Sequence, residues 1–250
     1  MVINLFDLWP FPDGFPHKPT CFWNDVMGNV LKVHYRNPNY ANFIAAYQLD
    51  DMKTVFNWWH GEVVRKRDYR WLVRDYLDGL GHFYIKRYDY PKANMRFSFV
   101  GSNAFREWTN SKRMQQLGIP QPDILVVATR KNFWGVTGSF IITLEVAATT
   151  SLDKLLEDPI DRPDDEMLDT LATSLVNLIG QMHSGGFSHR DLKPRNLLVS
   201  QLGTQLKLIP IDSLNGLSLN LLTRRRCIRR DYRFLLNDTH LGQLIAAKIK

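Results

Sequence analysis

The sequence predicts an α+β fold, in which a small antiparallel sheet with one key helix comes first and a mainly helical part follows. Two observations predict this order. Apolar runs rich in β-branched and aromatic residues fill 62–90 and 124–146, which is typical of strands. Farther along, 164–183 carries leucines three or four residues apart, which indicates an amphipathic helix. Residues 1–60 are aromatic-rich but weakly patterned, and we leave them unassigned.

The sheet elements follow in chain order. The stretch 62–90 reads as two strands joined by the turn DGLG, and the second strand carries Lys86. A helix is expected over 102–116, before a glycine and two prolines end it. The runs ILVVATR and SFIITLEV, around the turn-like KNFWGVTG, complete the sheet.

The helical part begins with a short capped helix in ATTSLDKLLEDP, followed by the helix over 164–183. The pair Gly185 and Gly186 stops that helix. The runs NLLVS and QLKLIPID read as two short strands joined through 202–204. The residues after them, up to 250, read as one or two helices.

Composition narrows the class of protein. A chain of 250 residues can bury a large core without disulfides, and Cys21 and Cys227 show no metal-ligand spacing. We expect reduced thiols and an intracellular protein. The N-terminal stretch lacks a cationic start and no run is long enough to span a bilayer. A net charge of +7 favours an acidic partner such as a phosphorylated glycolipid or an anionic membrane.

The stretch 189–196 reads HRDLKPRN and is the most specific signal in the chain. Its four fixed letters, His, Arg, Asp and an Asn five residues after the Asp, recur by chance about once in 160,000 positions. A second aspartate, Asp212, ends the apolar run LKLIPID. Together these residues indicate transfer of the terminal phosphate of ATP.

Phosphoryl transfer requires a metal to neutralise the phosphates, a cation to hold them and a carboxylate beside the attacking hydroxyl. Asp191 is the candidate that accepts or orients the hydroxyl proton, and Lys193 could reach the transferring phosphate. Asn196 and Asp212 are the candidate ligands of Mg²⁺.

Lys86 is the candidate for holding the α- and β-phosphates of ATP. Glu107, on the following helix, would pair with Lys86 and fix its position. Glu62 is the weaker alternative, because its segment reads as a strand.

A basic run follows the motif in a segment that reads as a helix. Such runs are usually solvated faces. The sharper interpretation is a docking surface for a phosphate-bearing substrate or anionic lipid, since guanidinium groups suit phosphate. The arginines concerned are Arg224, Arg225, Arg226, Arg229 and Arg230.

These residues resemble the protein-kinase-like superfamily. HRDLKPRN is similar to its catalytic loop, FYIK to its phosphate-lysine strand, and LEVA to its hinge. The resemblance implies a two-lobe fold, with an N-terminal lobe over 1–144, whose sheet and helix occupy 62–144, and a hinge and minimal catalytic lobe over 145–250. It also implies that backbone groups of Glu145 and Ala147 face the adenine.

Within the superfamily the chain resembles the bacterial lipopolysaccharide core kinases, which phosphorylate heptose or Kdo sugars. The segment FREWTNSKRMQQLGIPQP, the arginine-rich RRRCIRRDYRFLL and the 38 residues after Asp212 carry this resemblance. Asp212 lacks the following Phe-Gly of regulated protein kinases, and neither a GxGxxG nor an APE-like anchor is present.

The expected function is therefore ATP- and Mg²⁺-dependent phosphorylation of a lipopolysaccharide core sugar at the cytoplasmic face of a bacterial inner membrane. A kinase of small molecules or protein hydroxyls with the same fold is one alternative, and a pseudokinase that binds nucleotide or a partner is another. Charge alone suggests nucleic acid, but no aromatic-and-basic module supports it, so no nucleic-acid partner is expected. The sequence leaves the oligomeric state and the acceptor hydroxyl open.

Overall fold

The computed structural model describes residues 28–58, 60–158, 163–202, 205–220, 223–237 and 239–249. Six strands form one antiparallel sheet with the spatial order β1-β5-β6-β4-β3-β2. They are β1 (Val30–Arg36), β2 (Glu62–Arg67), β3 (Arg70–Leu77), β4 (Gly81–Asn94), β5 (Ile124–Asn132) and β6 (Gly135–Leu144).

The sheet differs from the sequence prediction in two places. The first predicted strand is a hairpin of β2 and β3, which turns at Asp68 and Tyr69 with a positive φ at Asp68. The stretch 1–60, which the sequence left unassigned, contributes the edge strand β1 and two short helices, α1 (Ala41–Ala46) and α2 (Met52–Phe56).

The two faces of the sheet have different partners, and this difference positions the candidate site. Phe83 and Ile85 of β4 are fully buried in one apolar cluster with Ile44, Val55 and Phe56 of the short helices. Because side chains alternate along a strand, Lys86 lies on the opposite face. There α4 (Asn103–Gln116) packs against β4, β5 and β6, after the short helix α3 (Arg96–Val100).

The helical part has its own core. The Asp164 side chain caps the long helix α6 (Asp165–Ser184), whose buried leucines cluster with Leu241 and Ile245 of the last helix. The elements around it are β7 (Thr150–Ser151), α5 (Leu152–Glu157), β8 (Phe187–Ser188), β9 (Leu197–Leu202), β10 (Gln205–Pro210), β11 (Leu217–Ser218), α7 (Arg224–Arg233) and α8 (Thr239–Lys248). Strands β10, β9 and β7 form one small sheet, and β11 and β8 form another.

Across the described stretches, no helix is both long and apolar enough to cross a membrane. Cys227 is buried with a free thiol. Two sequence predictions fall outside the described residues: the thiol state of Cys21 and the turn through Gly203 and Thr204.

Candidate active site

The catalytic-loop motif lies between β8 and β9, at the edge of the helical core. The loop carries Asp191 and passes into a single 3₁₀ turn, Pro194–Asn196. Lys193 Nζ lies 2.7 Å from Asp191 Oδ1, and Asn196 Nδ2 donates to the Asp191 carbonyl oxygen at 2.9 Å. The three predicted loop residues are therefore in direct contact. Because the Asn196 amide nitrogen is engaged, its oxygen is the atom that remains for a cation.

Asp212 is the N-cap residue of the 3₁₀ turn Ser213–Asn215 and has a left-handed backbone, with φ +59° and ψ +48°. Aspartate accepts this conformation more readily than most residues. The turn holds the Asp212 carboxylate 3.3 Å from Lys86 Nζ and 4.0 Å from an Arg70 guanidinium nitrogen. It is anchored to α4, because Asn110 donates to the Ser213 carbonyl and the Ser213 hydroxyl donates to the Glu107 carbonyl.

Lys86 pairs with Glu107, the glutamate that the sequence favoured. Lys86 Nζ lies 2.6 Å from Glu107 Oε1, and the two side chains are only 15% and 10% exposed. Tyr88, two residues along β4, donates to the other Glu107 oxygen at 3.4 Å. Glu62, the weaker alternative, is exposed on β2.

In this cluster the charge of Lys86 and the charges of the two carboxylates stabilise each other. Burial opposes the charge of Lys86, but the Glu107 and Asp212 carboxylates outweigh it and raise the pKa of the ammonium group. The Lys86 charge holds the pKa of Asp212 below its usual value. Burial raises the pKa of Glu107, and Lys86 opposes this rise. Asp212 is therefore ionised at neutral pH and can bind a cation.

A buried aspartate that the sequence did not single out holds the catalytic loop. Asp231 of α7 is completely buried and accepts hydrogen bonds from the His183 ring at 2.8 Å, the Ser188 hydroxyl at 2.6 Å and the Arg190 backbone N–H at 2.5 Å. Arg190, just before Asp191, has a φ of +65°. The Asp231 contact fixes this strained residue. Asp231 lies within the arginine run, so its one negative charge among many positive ones was the available signal.

His189 supports the loop and does not face solvent. It is fully buried, and its Nε2 lies 3.1 Å from the Ile211 carbonyl oxygen, just before Asp212. Burial lowers the pKa of the imidazole, so the ring is neutral near pH 7. With Nε2 donating to a carbonyl, the ring connects the loop of Asp191 to the turn of Asp212.

The predicted hinge follows β6, which ends at Leu144. The Glu145 N–H donates to the His82 carbonyl at 2.9 Å. The Glu145 carboxylate is paired with Arg74 at 2.6 Å. Beside this segment lies an open cavity of about 430 Å³, whose lining includes Glu145, Ala148 and Val199. Ala147 is exposed beside it.

The five arginines of the predicted docking surface lie on α7 and are all exposed. One of them, Arg230, reaches the catalytic loop, since its Nε donates to the Arg190 carbonyl at 2.8 Å. The helix packs through Cys227 and Asp231, which are buried, and Leu235, two residues after its end, is buried as well. The structure therefore brings this basic face next to the loop of Asp191.

Comparison with known proteins adds two findings. A profile of the lipopolysaccharide kinase (Kdo/WaaP) family matches residues 58–240. A solved structure described as WaaP in complex with acyl carrier protein is similar with a TM-score of 0.63 and 20% identity, over 86% of this chain and 89% of that chain. A comparison with curated protein sequences finds no match.

The structural likeness confirms the predicted α+β, protein-kinase-like fold, with a six-stranded antiparallel sheet followed by a mainly helical part. The family profile covers well over half of the chain and includes every residue of the site described above. This protein therefore belongs to the lipopolysaccharide kinase (Kdo/WaaP) family and is a kinase.

Proposed function

We propose that this kinase transfers the γ-phosphoryl group of ATP, with Mg²⁺, to a heptose or Kdo hydroxyl of a lipopolysaccharide core. The observation that carries the proposal is the proximity of two clusters: Lys86 with Glu107 and Asp212, and Asp191 with Lys193 and Asn196. The Ile211 N–H, just before Asp212, donates to the Asn196 carbonyl at 2.9 Å and joins the two. We also infer that 1–144 and 145–250 are the two lobes that enclose this cleft.

Mg²⁺ fits the residues present. It commonly binds through one or two protein oxygens and completes its octahedral shell with water and substrate phosphates. Asp212 offers an ionised carboxylate, and Asn196 offers an amide oxygen whose nitrogen is already bonded to the loop. When bound, the metal would neutralise charge on the β- and γ-phosphates.

The transfer forms a bond between the sugar oxygen and the γ-phosphorus and breaks the bond from that phosphorus to the bridging oxygen of ADP. Asp191 accepts the proton that leaves the sugar hydroxyl. Lys193, 2.7 Å from Asp191, supplies positive charge beside the transferring group. Lys86 holds the α- and β-phosphates, and its pair with Glu107 fixes the position of the ammonium group.

The adenine would lie against the hinge. The Glu145 carbonyl and the Ala147 N–H are the backbone groups assigned to it, in the segment that follows β6. The Arg74 pair with Glu145 holds this segment against β3.

The acceptor side is assigned to the exposed arginine face of α7. Arg230 touches the catalytic loop, so anionic groups bound along this helix would lie close to Asp191. A phosphorylated glycolipid, or the anionic inner face of a bacterial inner membrane that carries it, has the charge that this face requires. Changing Arg224, Arg225 and Arg226 to Gln should raise the KM for the glycolipid acceptor and leave the KM for ATP unchanged.

The catalytic assignment is tested with Asp191→Asn and Asp212→Asn in a transfer assay with labelled ATP and lipopolysaccharide core. Both variants should lose at least about a hundredfold in kcat, as is usual for general acid–base and metal ligands. Measurements of ATP binding distinguish the role of Asp212 as a metal ligand from that of Asp191 as a base. Asp212→Asn should weaken the Mg²⁺ dependence of ATP binding, and Asp191→Asn should not. Normal transfer by both variants would contradict the assignment.

A further inference from the structure

A cluster of arginines lies over the metal-site aspartate, on the sheet side of the cleft. In the antiparallel register, Arg65 lies opposite Leu72, Arg67 opposite Arg70, and Leu72 opposite Lys86. Residues directly opposite each other on antiparallel strands point to the same face, and faces alternate along a strand. Arg65, Arg67 and Arg70 therefore share the cleft face with Lys86.

The cluster points toward the phosphate end of the cleft. An Arg70 guanidinium nitrogen lies 4.0 Å from Asp212 Oδ2, and the Arg70 side chain is 24% exposed. Arg65 lies near Arg195 of the catalytic loop. The pKa of the Arg65 guanidinium is lowered, mainly by burial and then by the positive charges of Arg195, Arg67 and Arg70. Groups from the sheet and from the loop thus meet above Asp212.

The positive charge of this cluster is not balanced within the described part of the chain. No carboxylate of the described residues lies within 4.0 Å of the Arg65, Arg67 or Arg195 guanidinium groups. The neighbouring carboxylates already have partners: Glu107 and Asp212 pair with Lys86, and Asp191 pairs with Lys193. A polyanionic ligand would supply the missing negative charge.

The spacing along β3 identifies which anion fits. Arg74 is paired with the hinge residue Glu145 at one end, and Arg70 is paired with Asp212 at the other. These two arginines are four residues apart, which is about 13 Å along a strand. That span is comparable to a nucleoside triphosphate laid from its base at the hinge to its outer phosphates at the metal ligand.

We propose that Arg65, Arg67 and Arg70 clamp the β- and γ-phosphates of ATP from above. This inference rests on the proposed use of ATP. In protein kinases a glycine-rich loop covers the phosphates with backbone N–H groups. Here the β2–β3 turn has no glycine, and side-chain guanidinium groups, which bind phosphate oxygens in pairs, take that position.

The test is equilibrium binding to the full chain without acceptor, with Mg-ATP, Mg-ADP, AMP and adenosine as probes. Arg65→Gln, Arg67→Gln and Arg70→Gln should each weaken Mg-ATP binding by about tenfold, as expected for a charge-assisted hydrogen bond. Binding of adenosine should not change. Arg70→Lys should recover part of the loss, because an ammonium keeps the charge but not the paired contact.

Lys66 supplies the matched control. It lies on the same hairpin but on the opposite face, with its Nζ 4.1 Å from the Trp71 ring. Lys66→Gln removes the same charge and should leave Mg-ATP binding unchanged. Unchanged Mg-ATP binding in all three arginine variants, with a raised KM for the glycolipid, would assign the cluster to an anionic group of the acceptor and overturn the proposal.

The outcomes also separate this inference from the proposed function. If the unaltered protein binds no Mg-ATP, both fail. If it binds Mg-ATP, and the arginine variants bind ATP, AMP and adenosine as well as it does, only the clamp fails. An equal loss for ATP and adenosine would show damage to the hinge and would likewise overturn the assignment to phosphate.

Discussion

Replacing Asp231 by Asn tests how the catalytic loop is held. The Asp231 carboxylate accepts three hydrogen bonds, two at Oδ2 from His183 and Ser188 and one at Oδ1 from the Arg190 backbone. An amide has only one accepting oxygen, so it can preserve one side of this arrangement. Hydrogen bonds to charged groups contribute about 1.5–3 kcal/mol each, and the Ser188 hydroxyl can rotate to recover one.

The expected net loss for Asp231→Asn is therefore about 2 kcal/mol. In a chain of this size that lowers the Tm by about 4–8 °C. The loop that carries Asp191 would also lose its fixed backbone at Arg190, so kcat should fall at least about tenfold. The KM for ATP should change little, because Asp231 contacts neither Lys86 nor the hinge.

The assays are calorimetric unfolding and steady-state transfer to lipopolysaccharide core. Asp169→Asn is the matched control, because Asp169 is exposed and pairs with Lys248 at 2.8 Å. An exposed pair of this kind contributes about 0–1 kcal/mol, so the control should keep its Tm and its kcat. An Asp231→Asn variant that behaves like the control would refute the role given to Asp231.

Two further predictions concern buried charge. Lys86→Met leaves the Glu107 and Asp212 carboxylates without their shared cation and should destabilise the fold by about 3 kcal/mol. Adding Glu107→Gln should restore much of the lost stability but should not restore ATP binding. Unfolding measurements report the stability, and binding measurements report the affinity for ATP. The pKa of His189 is lowered from 6.5, so the unfolded state binds a proton that the folded state does not, and the free energy of unfolding should fall as pH drops below about 6.5. His189→Gln should remove this part of the pH dependence in urea unfolding between about pH 7.5 and 5.5.

A specific result would contradict each of these two predictions. If Lys86→Met alone is as stable as the unaltered protein, the lysine is not balancing two buried carboxylates. If the His189→Gln variant has the same slope of unfolding free energy against pH as the unaltered protein, the buried imidazole is not the source. The pH dependence that Glu107 contributes has the opposite sign, because its raised pKa makes the free energy of unfolding fall as pH rises above 4.5. The effect of His189 is therefore taken as the difference in slope between the unaltered protein and His189→Gln.

Local chemistry explains what the sequence could predict. The catalytic-loop motif, the strand of Lys86 and the helix of Glu107 are short-range patterns. The ends of that helix were predicted within one residue, and Ser102 is its N-cap. The contact between Lys86 and Asp212 was expected only through the roles given to them, since 126 residues separate the two positions.

The features that the sequence did not predict also have physical explanations. The β2–β3 turn contains neither Gly nor Pro, so the run through Asp68 read as one continuous strand. Asp231 stands in a helix whose exposed arginines dominate its pattern, and its partners lie 41 to 48 residues away in sequence. The arginine cluster over Asp212 depends on strand register, which periodicity does not specify.

Transfer of phosphate from ATP to a sugar of the lipopolysaccharide core is the function that we propose for this chain. Its most direct test is incubation of the purified protein with labelled ATP and Mg²⁺ against intact and dephosphorylated cores, peptides and small hydroxylated compounds, with the labelled position found by mass spectrometry. We expect label on a heptose or Kdo hydroxyl of the core. Label on peptides or small compounds alone, or Mg-ATP binding without transfer to any acceptor, would contradict it.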